Sequence, residues 1–162
     1  THITGTGVGG GTLLGLGRLL LHTTDPGEID ALAQRGDPNG ADLSLGDVVS
    51  GPIGDLPSDA TAVNFGRLAR YDLVVSREDL AAALVTLVGQ VIGLIAVNGA
   101  RSQQAAHIVV TGHLIDMVSM RDVLKHVEDI YRMPITLPSS AGHATALGAL
   151  LHVQQDQPEA IS

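Results

Sequence analysis

Gly5-Thr6-Gly7-Val8-Gly9-Gly10-Gly11-Thr12-Leu13-Leu14-Gly15-Leu16 is a glycine-dense run that passes without interruption into apolar positions at helical spacing. The apolar residues Leu13, Leu14, Leu16, Leu19, Leu20 and Leu21 predict a helix starting near Thr12, so a loop feeds a helix N-terminus. Such a junction gathers unpaired backbone N–H groups at the positive end of a helix, and the amides from Gly9 to Leu14 with the Thr12 hydroxyl are read as an anion cradle. The alternative is a flexible turn that merely packs closely. Gly5 to Gly10 also satisfies G-x-G-x-x-G, but a dinucleotide fold needs a complete strand before the loop and an acid closing a second strand about twenty residues later. Both are missing, since Asp25 and Glu28 fall at a helix start. A P-loop is excluded because Gly11-Thr12 is followed by Leu13, where that motif would continue from a lysine.

Outward from that run, the whole chain reads as a glycine-rich globular α/β domain. It has 162 residues, 44% of them apolar and 20 of them glycine, enough for one buried core. Only four residues precede the run, so a missing N-terminal part is expected. The net charge of −8 with 2% aromatic residues disfavours a nucleic-acid surface of basic grooves and stacking rings. With no cysteine there is no disulfide framework, thiol nucleophile or thiolate metal site, which is compatible with a cytoplasmic protein.

Asp25-Pro26-Gly27-Glu28 marks a helix restart, with Asp25 as cap and Pro26 at the first position, running to about Arg35. Residues from Gly36 to Ala60 read as a long irregular segment with one short turn at Leu45 to Val49. Ser76-Arg77-Glu78-Asp79 then caps an apolar helix reaching about Asn98-Gly99. Leu80 to Val97 lacks charge and is long enough to span a bilayer, but Thr86, Gln90, Gly89 and Gly93, the soluble-type cap and the absence of basic or aromatic anchors favour a buried helix. Gly89 and Gly93 lie four apart on one face and permit close approach of another backbone, in a core crossing or a dimer seam.

His107 to Thr111 is expected to form a buried strand that empties through Gly112, and Met117 to Tyr131 an amphipathic helix ended by Pro134. Ile135-Thr136-Leu137 forms a second short strand and Ala141 to Val153 a small-residue helix, with Gln154 to Ser162 as a tail. The chain thus divides into a lobe over residues 1–153 and a tail over 154–162.

Catalytic and metal motifs are sparse. The histidines lack zinc spacing. A calcium loop through Asp37, Asn39 and Asp42 fails because its closing acid would fall on Val48. No G-x-S-x-G elbow is present. His113 stands apart from the other histidines because it follows a strand at its carboxyl end, where α/β proteins hold ligands, although a solvent-facing loop position accounts for it equally.

Taken together, the run Gly5 to Leu16, Asn64-Phe65-Gly66, the helix Leu80 to Ala96, His107-Ile-Val-Val-Thr-Gly112, and Gly142 with Ala146-Leu-Gly-Ala-Leu150 occur in the order found in type II pantothenate kinases. The chain resembles the C-terminal half of such an enzyme. The resemblance implies the C-terminal lobe of an actin-like, ribonuclease H-like ATPase fold, with helices packed on a small mixed sheet. It implies ATP-dependent phosphorylation of pantothenate with Mg²⁺, the first step toward coenzyme A, in the cytoplasm. It also implies nucleotide contacts from Gly10, Gly11, Thr12, Leu13 and Leu14, and a further contact near the adenine from Gly112 and His113. A substrate-contacting arginine of the family falls at His2. The catalytic glutamate and phosphate loop belong to the N-terminal half, so this chain alone is expected to be inactive, with no catalytic residue and no metal ligand of its own. The family's subunits pair as homodimers, for which helix Leu80 to Val97 is the expected interface. Other actin-like ATPases or small-molecule kinases, and a non-catalytic dimerisation or regulatory lobe, are the alternatives. No nucleic acid or membrane partner is expected.

Overall fold

The structure is a computed structural model of the chain and describes residues 2–50, 54, 56–70, 72–139 and 141–155. It is mixed α/β and mostly helical. In order it runs α1 (Gly10–Leu21), α2 (Pro26–Ala33), a 3-10 turn (Pro38–Gly40), β1 (Leu43–Ser44), α3 (Leu45–Val48), β2 (Thr61–Val63) and α4 (Gly66–Arg70). Then follow α5 (Arg77–Ser102), β3 (Ile108–Val109), a second 3-10 turn (His113–Asp116), α6 (Val118–Tyr131), β4 (Ile135–Thr136), a third (Ala141–His143) and α7 (Ala144–Gln155).

The organising element is α5. Ser76 Oγ accepts the Asp79 N–H at 3.0 Å, and Glu78 and Asp79 sit in the positive first turn. The helix passes the length and hydropathy test for a membrane span, yet α1, α2 and α6 pack against it. Its Ala81, Leu84, Val85 and Val88 join Leu13, Leu21, Ile29, Ile115, Met120 and Leu124 in the main core. A satellite cluster of Val97, Ile108, Val127 and Ile135 extends that core under β3 and β4.

Several expectations are corrected here. Gly89 and Gly93 are consumed inside the chain: a β-carbon at Gly89 would lie 2.6 Å from Val123 Cγ1, and one at Gly93 2.9 Å from Val127 Cγ1. Close crossing with α6 therefore covers the Gly89–Gly93 face, the core crossing of the two readings offered for this glycine pair. The expected single mixed sheet is, among the described residues, two separate pairs: β1–β2 antiparallel with a register shift, and β3–β4 parallel with Ile108 opposite Ile135. Their connection is α6, as a parallel pair requires a crossover. The strand at His107 to Thr111 is only half buried. Ile108 faces the core at 8% exposure and Val109 faces out at 58%, because among the described residues the core covers one face of the pair and not the other.

Other boundaries shift slightly. Asp25 caps α2 through the Gly27 N–H at 2.8 Å, but that helix stops at Ala33. The start of α5 holds and its end runs on to Ser102. Arg132, at φ 51°, turns the chain out of α6 before Pro134 is reached. The long irregular segment contains α3 where a turn was expected, and also β1. Helix α7 extends through Gln155, past the expected tail boundary, and the tail from residue 156 lies outside the described residues.

Two long-range clasps fix the helices. Asp30 on α2 caps α6 across the fold, accepting from Val118 N–H (3.0 Å), Ser119 N–H (2.8 Å) and Ser119 Oγ (2.6 Å). The Arg77 guanidinium donates to the Leu21 carbonyl (2.7 Å) and to Glu28 (3.1 Å), tying the end of α1 to α2 and α5.

Candidate functional site

The glycine run meets α1 through a hydroxyl-braced loop. Thr6 Oγ1 accepts the Val8 N–H at 3.0 Å. Thr12 Oγ1 accepts the Gly9 N–H at 3.3 Å and donates to the Gly7 carbonyl at 3.2 Å. The Thr12 hydroxyl thus holds the loop, and is not the free anion donor suggested by its position in the sequence. The Leu13 N–H is bonded to the Gly9 carbonyl at 2.9 Å, and the Leu13 side chain is fully buried. Leu13 anchors the helix from below, and Leu14 is one position further into the ladder.

What is left to face a ligand is the set of first-turn amides at Gly10, Gly11 and Thr12, which have no intrahelical acceptor. Gly9 as N-cap has no side chain to turn back onto them, and the first turn carries no acid to neutralise the helix end. The corner is open. Nothing lies within 4 Å of a β-carbon built at Gly5, Gly7, Gly9 or Gly11, and at Gly10 the neighbour is Leu114 at 3.7 Å.

Leu114 brings the second part of the site to the first. It belongs to the 3-10 turn after β3, so Gly112 and His113 sit beside the start of α1, at the carboxyl end of the parallel pair. Gly112 takes φ 111°, which a residue with a β-carbon rarely adopts, and its N–H donates to the Ala141 carbonyl at 2.9 Å. His113 is exposed. Its Nδ1 pairs with Asp116 Oδ2 at 3.0 Å, and its ring meets His143 edge-on with centroids 5.8 Å apart. A β-carbon at Gly142 would collide with the His113 ring.

Arg121, expected only as part of the polar face of α6, holds these loops together. Its guanidinium donates to the carbonyls of Ile115 (2.6 Å), Leu137 (3.2 Å) and Pro138 (2.8 Å). His143, Asp116 and Leu114 were likewise not singled out from the sequence. Only the glycine preceding His143 hinted at the close approach there. His2 is exposed and, among the described residues, makes no hydrogen bond or ion pair.

Open first-turn amides beside the mouth of a parallel strand pair define an α/β protein suited to holding an anionic ligand. The Fumble family matches residues 1–152, and the chain belongs to this type II pantothenate kinase family. It is 35% identical over 151 residues to a type II pantothenate kinase of Oceanobacillus iheyensis, covering 93% of this chain and 57% of that protein. It is 30% identical to a type II pantothenate kinase of Bacillus cereus (92% and 54% covered) and 30% identical to that of Bacillus anthracis (91% and 54%). The chain therefore spans little more than half the length of the curated relatives it matches.

Proposed function

We propose that this chain forms the nucleotide-holding half of a type II pantothenate kinase with the two-lobed actin-like ATPase architecture. The enzyme would transfer the terminal phosphoryl group of ATP to the primary hydroxyl of pantothenate in the cytoplasm. The observation that carries this reading is the open corner at Gly10, Gly11 and Thr12 with Gly112 and His113 against it, in a chain whose relatives are named as kinases of pantothenate.

In that role, the three amides donate to phosphate oxygens, and the end of α1 favours the negative charge that phosphoryl transfer redistributes. The Thr12 hydroxyl keeps the loop from folding onto those amides. Gly112 has its N–H engaged and, half-buried, offers its Cα surface to a base, beside the His113 ring. The carboxylate that orients the attacking hydroxyl would come from the remainder of the enzyme. Among the described residues no three His, Asp or Glu side chains converge to bind a metal ion, and no step is assigned through Mg²⁺. Paired subunits would meet elsewhere than the Gly89–Gly93 face.

Amide NMR of the chain titrated with a non-hydrolysable ATP analogue tests the reading. Shifts should concentrate at Gly10, Gly11, Thr12, Gly112 and His113, with weak affinity, and the chain alone should not phosphorylate pantothenate. Shifts confined to other residues would refute the nucleotide assignment, and ATP-dependent turnover by the isolated chain would refute the half-site assignment.

A further inference from the structure

The parallel pair ends at Val109 and Thr136, and beyond it the chain leaves both strands at the same end as two segments, one running through Gly112 to Met117 and the other from Leu137 to His143. At the pair they are joined by the Val110 N–H to the Thr136 carbonyl (3.0 Å), and near the α1 corner by the Gly112 N–H to the Ala141 carbonyl (2.9 Å). Each segment carries one imidazole, and the His113 and His143 rings meet edge-on. A third tie comes from outside both segments. Arg121, half-buried in the first turns of α6, donates from Nε to the Ile115 carbonyl at 2.6 Å on one segment. Its Nη1 and Nη2 donate to the Leu137 and Pro138 carbonyls at 3.2 and 2.8 Å on the other. All three nitrogens are engaged, and among the described residues no carboxylate lies within ion-pair distance of the guanidinium. Its charge is spent on loop carbonyls alone. A planar fork of donors fixes where its acceptors sit relative to one another, which the point charge of an ammonium cannot do.

We propose that Arg121 is the positioning residue for the base end of the nucleotide site, an inference that rests on the nucleotide reading above. By tying the two segments together it fixes the surface that Gly112, His113 and His143 present to the adenine, without touching the nucleotide itself. The phosphate end needs no such help, because the first-turn amides of α1 and the Thr12 brace belong to one continuous stretch of chain. Loss of the Arg121 tie therefore weakens recognition of the base and spares recognition of the phosphates.

The test titrates the full chain by NMR with two probes, a non-hydrolysable ATP analogue and inorganic tripolyphosphate. Arg121→Gln removes the charge and the fork, and Arg121→Lys keeps the charge without the fork. Both should weaken analogue binding by about threefold to tenfold while changing tripolyphosphate binding by less than about twofold. Both should also move the His113 and His143 ring resonances. A role in stability alone would not separate the two probes. In the parent chain the Arg121 Nε–H resonance should move with the analogue and stay in place with tripolyphosphate, a readout that needs no variant to fold. Equal loss for both probes, an analogue affinity unchanged in R121Q or R121K, or an Nε–H signal indifferent to the analogue would each overturn the proposal while leaving nucleotide binding itself in place. A parent chain that does not bind the analogue would instead refute the nucleotide reading, and this inference with it.

Discussion

Gly142 lies against the His113 imidazole so closely that the two positions specify each other: a β-carbon at residue 142 has no room unless the ring leaves its place beside Asp116. The ring is exposed and can swing away. Gly142→Ala should therefore lower stability by no more than about 1 kcal/mol while breaking the His113–Asp116 pair. The His113 ring resonances should move, and affinity for the ATP analogue should fall. Unchanged His113 resonances would contradict the packing described.

Thr12 is the brace of the glycine loop. Thr12→Val keeps the shape of the side chain but cuts both hydrogen bonds, and should cost about 0.5–2 kcal/mol of stability, the usual range for losing a helix-start interaction. Thermal melts compared with Thr12→Ser, which retains the hydroxyl, isolate that contribution. Equal melting temperatures for T12V and the parent would show the brace to be idle.

The glycines of α5 should separate by position. Gly93→Ala would push a methyl group into Val127, an overpacking cost of about 1–3 kcal/mol that outweighs the roughly 1 kcal/mol gained in helix propensity. Gly99→Ala meets nothing within 4 Å and should stabilise by about 0.5–1 kcal/mol. Denaturant midpoints of the two variants should move in opposite directions.

Asp42 is fully buried, and burial raises its pKa above the usual carboxylate value, against the opposing hydrogen bonds from the Phe65 N–H, Asn64 and Thr61. The folded state therefore holds this proton more tightly than the unfolded chain does. Its contribution to stability is fully present below the unfolded value of about 3.9 and is lost as pH rises through the folded value. Asp47 behaves oppositely: hydrogen bonds from Ser44 lower its pKa, so its contribution is lost as the solution is acidified through its folded value. In melts from neutral pH down to about pH 4, Asp42→Asn should lose stability relative to the parent, since only the parent gains from protonating residue 42. A constant gap between the two proteins would refute the assignment.

Elements governed by local chemistry were legible in the sequence. The caps at Asp25 and Ser76 and the spacing of Met120, Leu124 and Val127 placed α2, α5 and α6, because a cap or an apolar stripe needs only neighbouring residues to be recognised. Long-range partners were not legible. Nothing around Arg121 announces that it will reach the carbonyls at Leu137 and Pro138, and nothing near Asp42 announces that Phe65 will donate to it. The pairing of β1 with β2 was hidden for the same reason, since two- and three-residue strands carry no readable alternation. In the candidate site, the glycine run overstated the free donors, because which groups the loop binds internally depends on one hydroxyl rotamer at Thr12.

The clasp from Asp30 to Val118 and Ser119 joins positions 88 and 89 residues apart along the chain. During synthesis, α2 emerges early with its own local cap at Asp25, but its clasp on the first turn of α6 can close only once Val118 and Ser119 have been made. Folding is thereby delayed toward a single late event, and a ribosome stalled before Val118 would present α5 with its α6-facing side bare, an exposed target for chaperones or proteases.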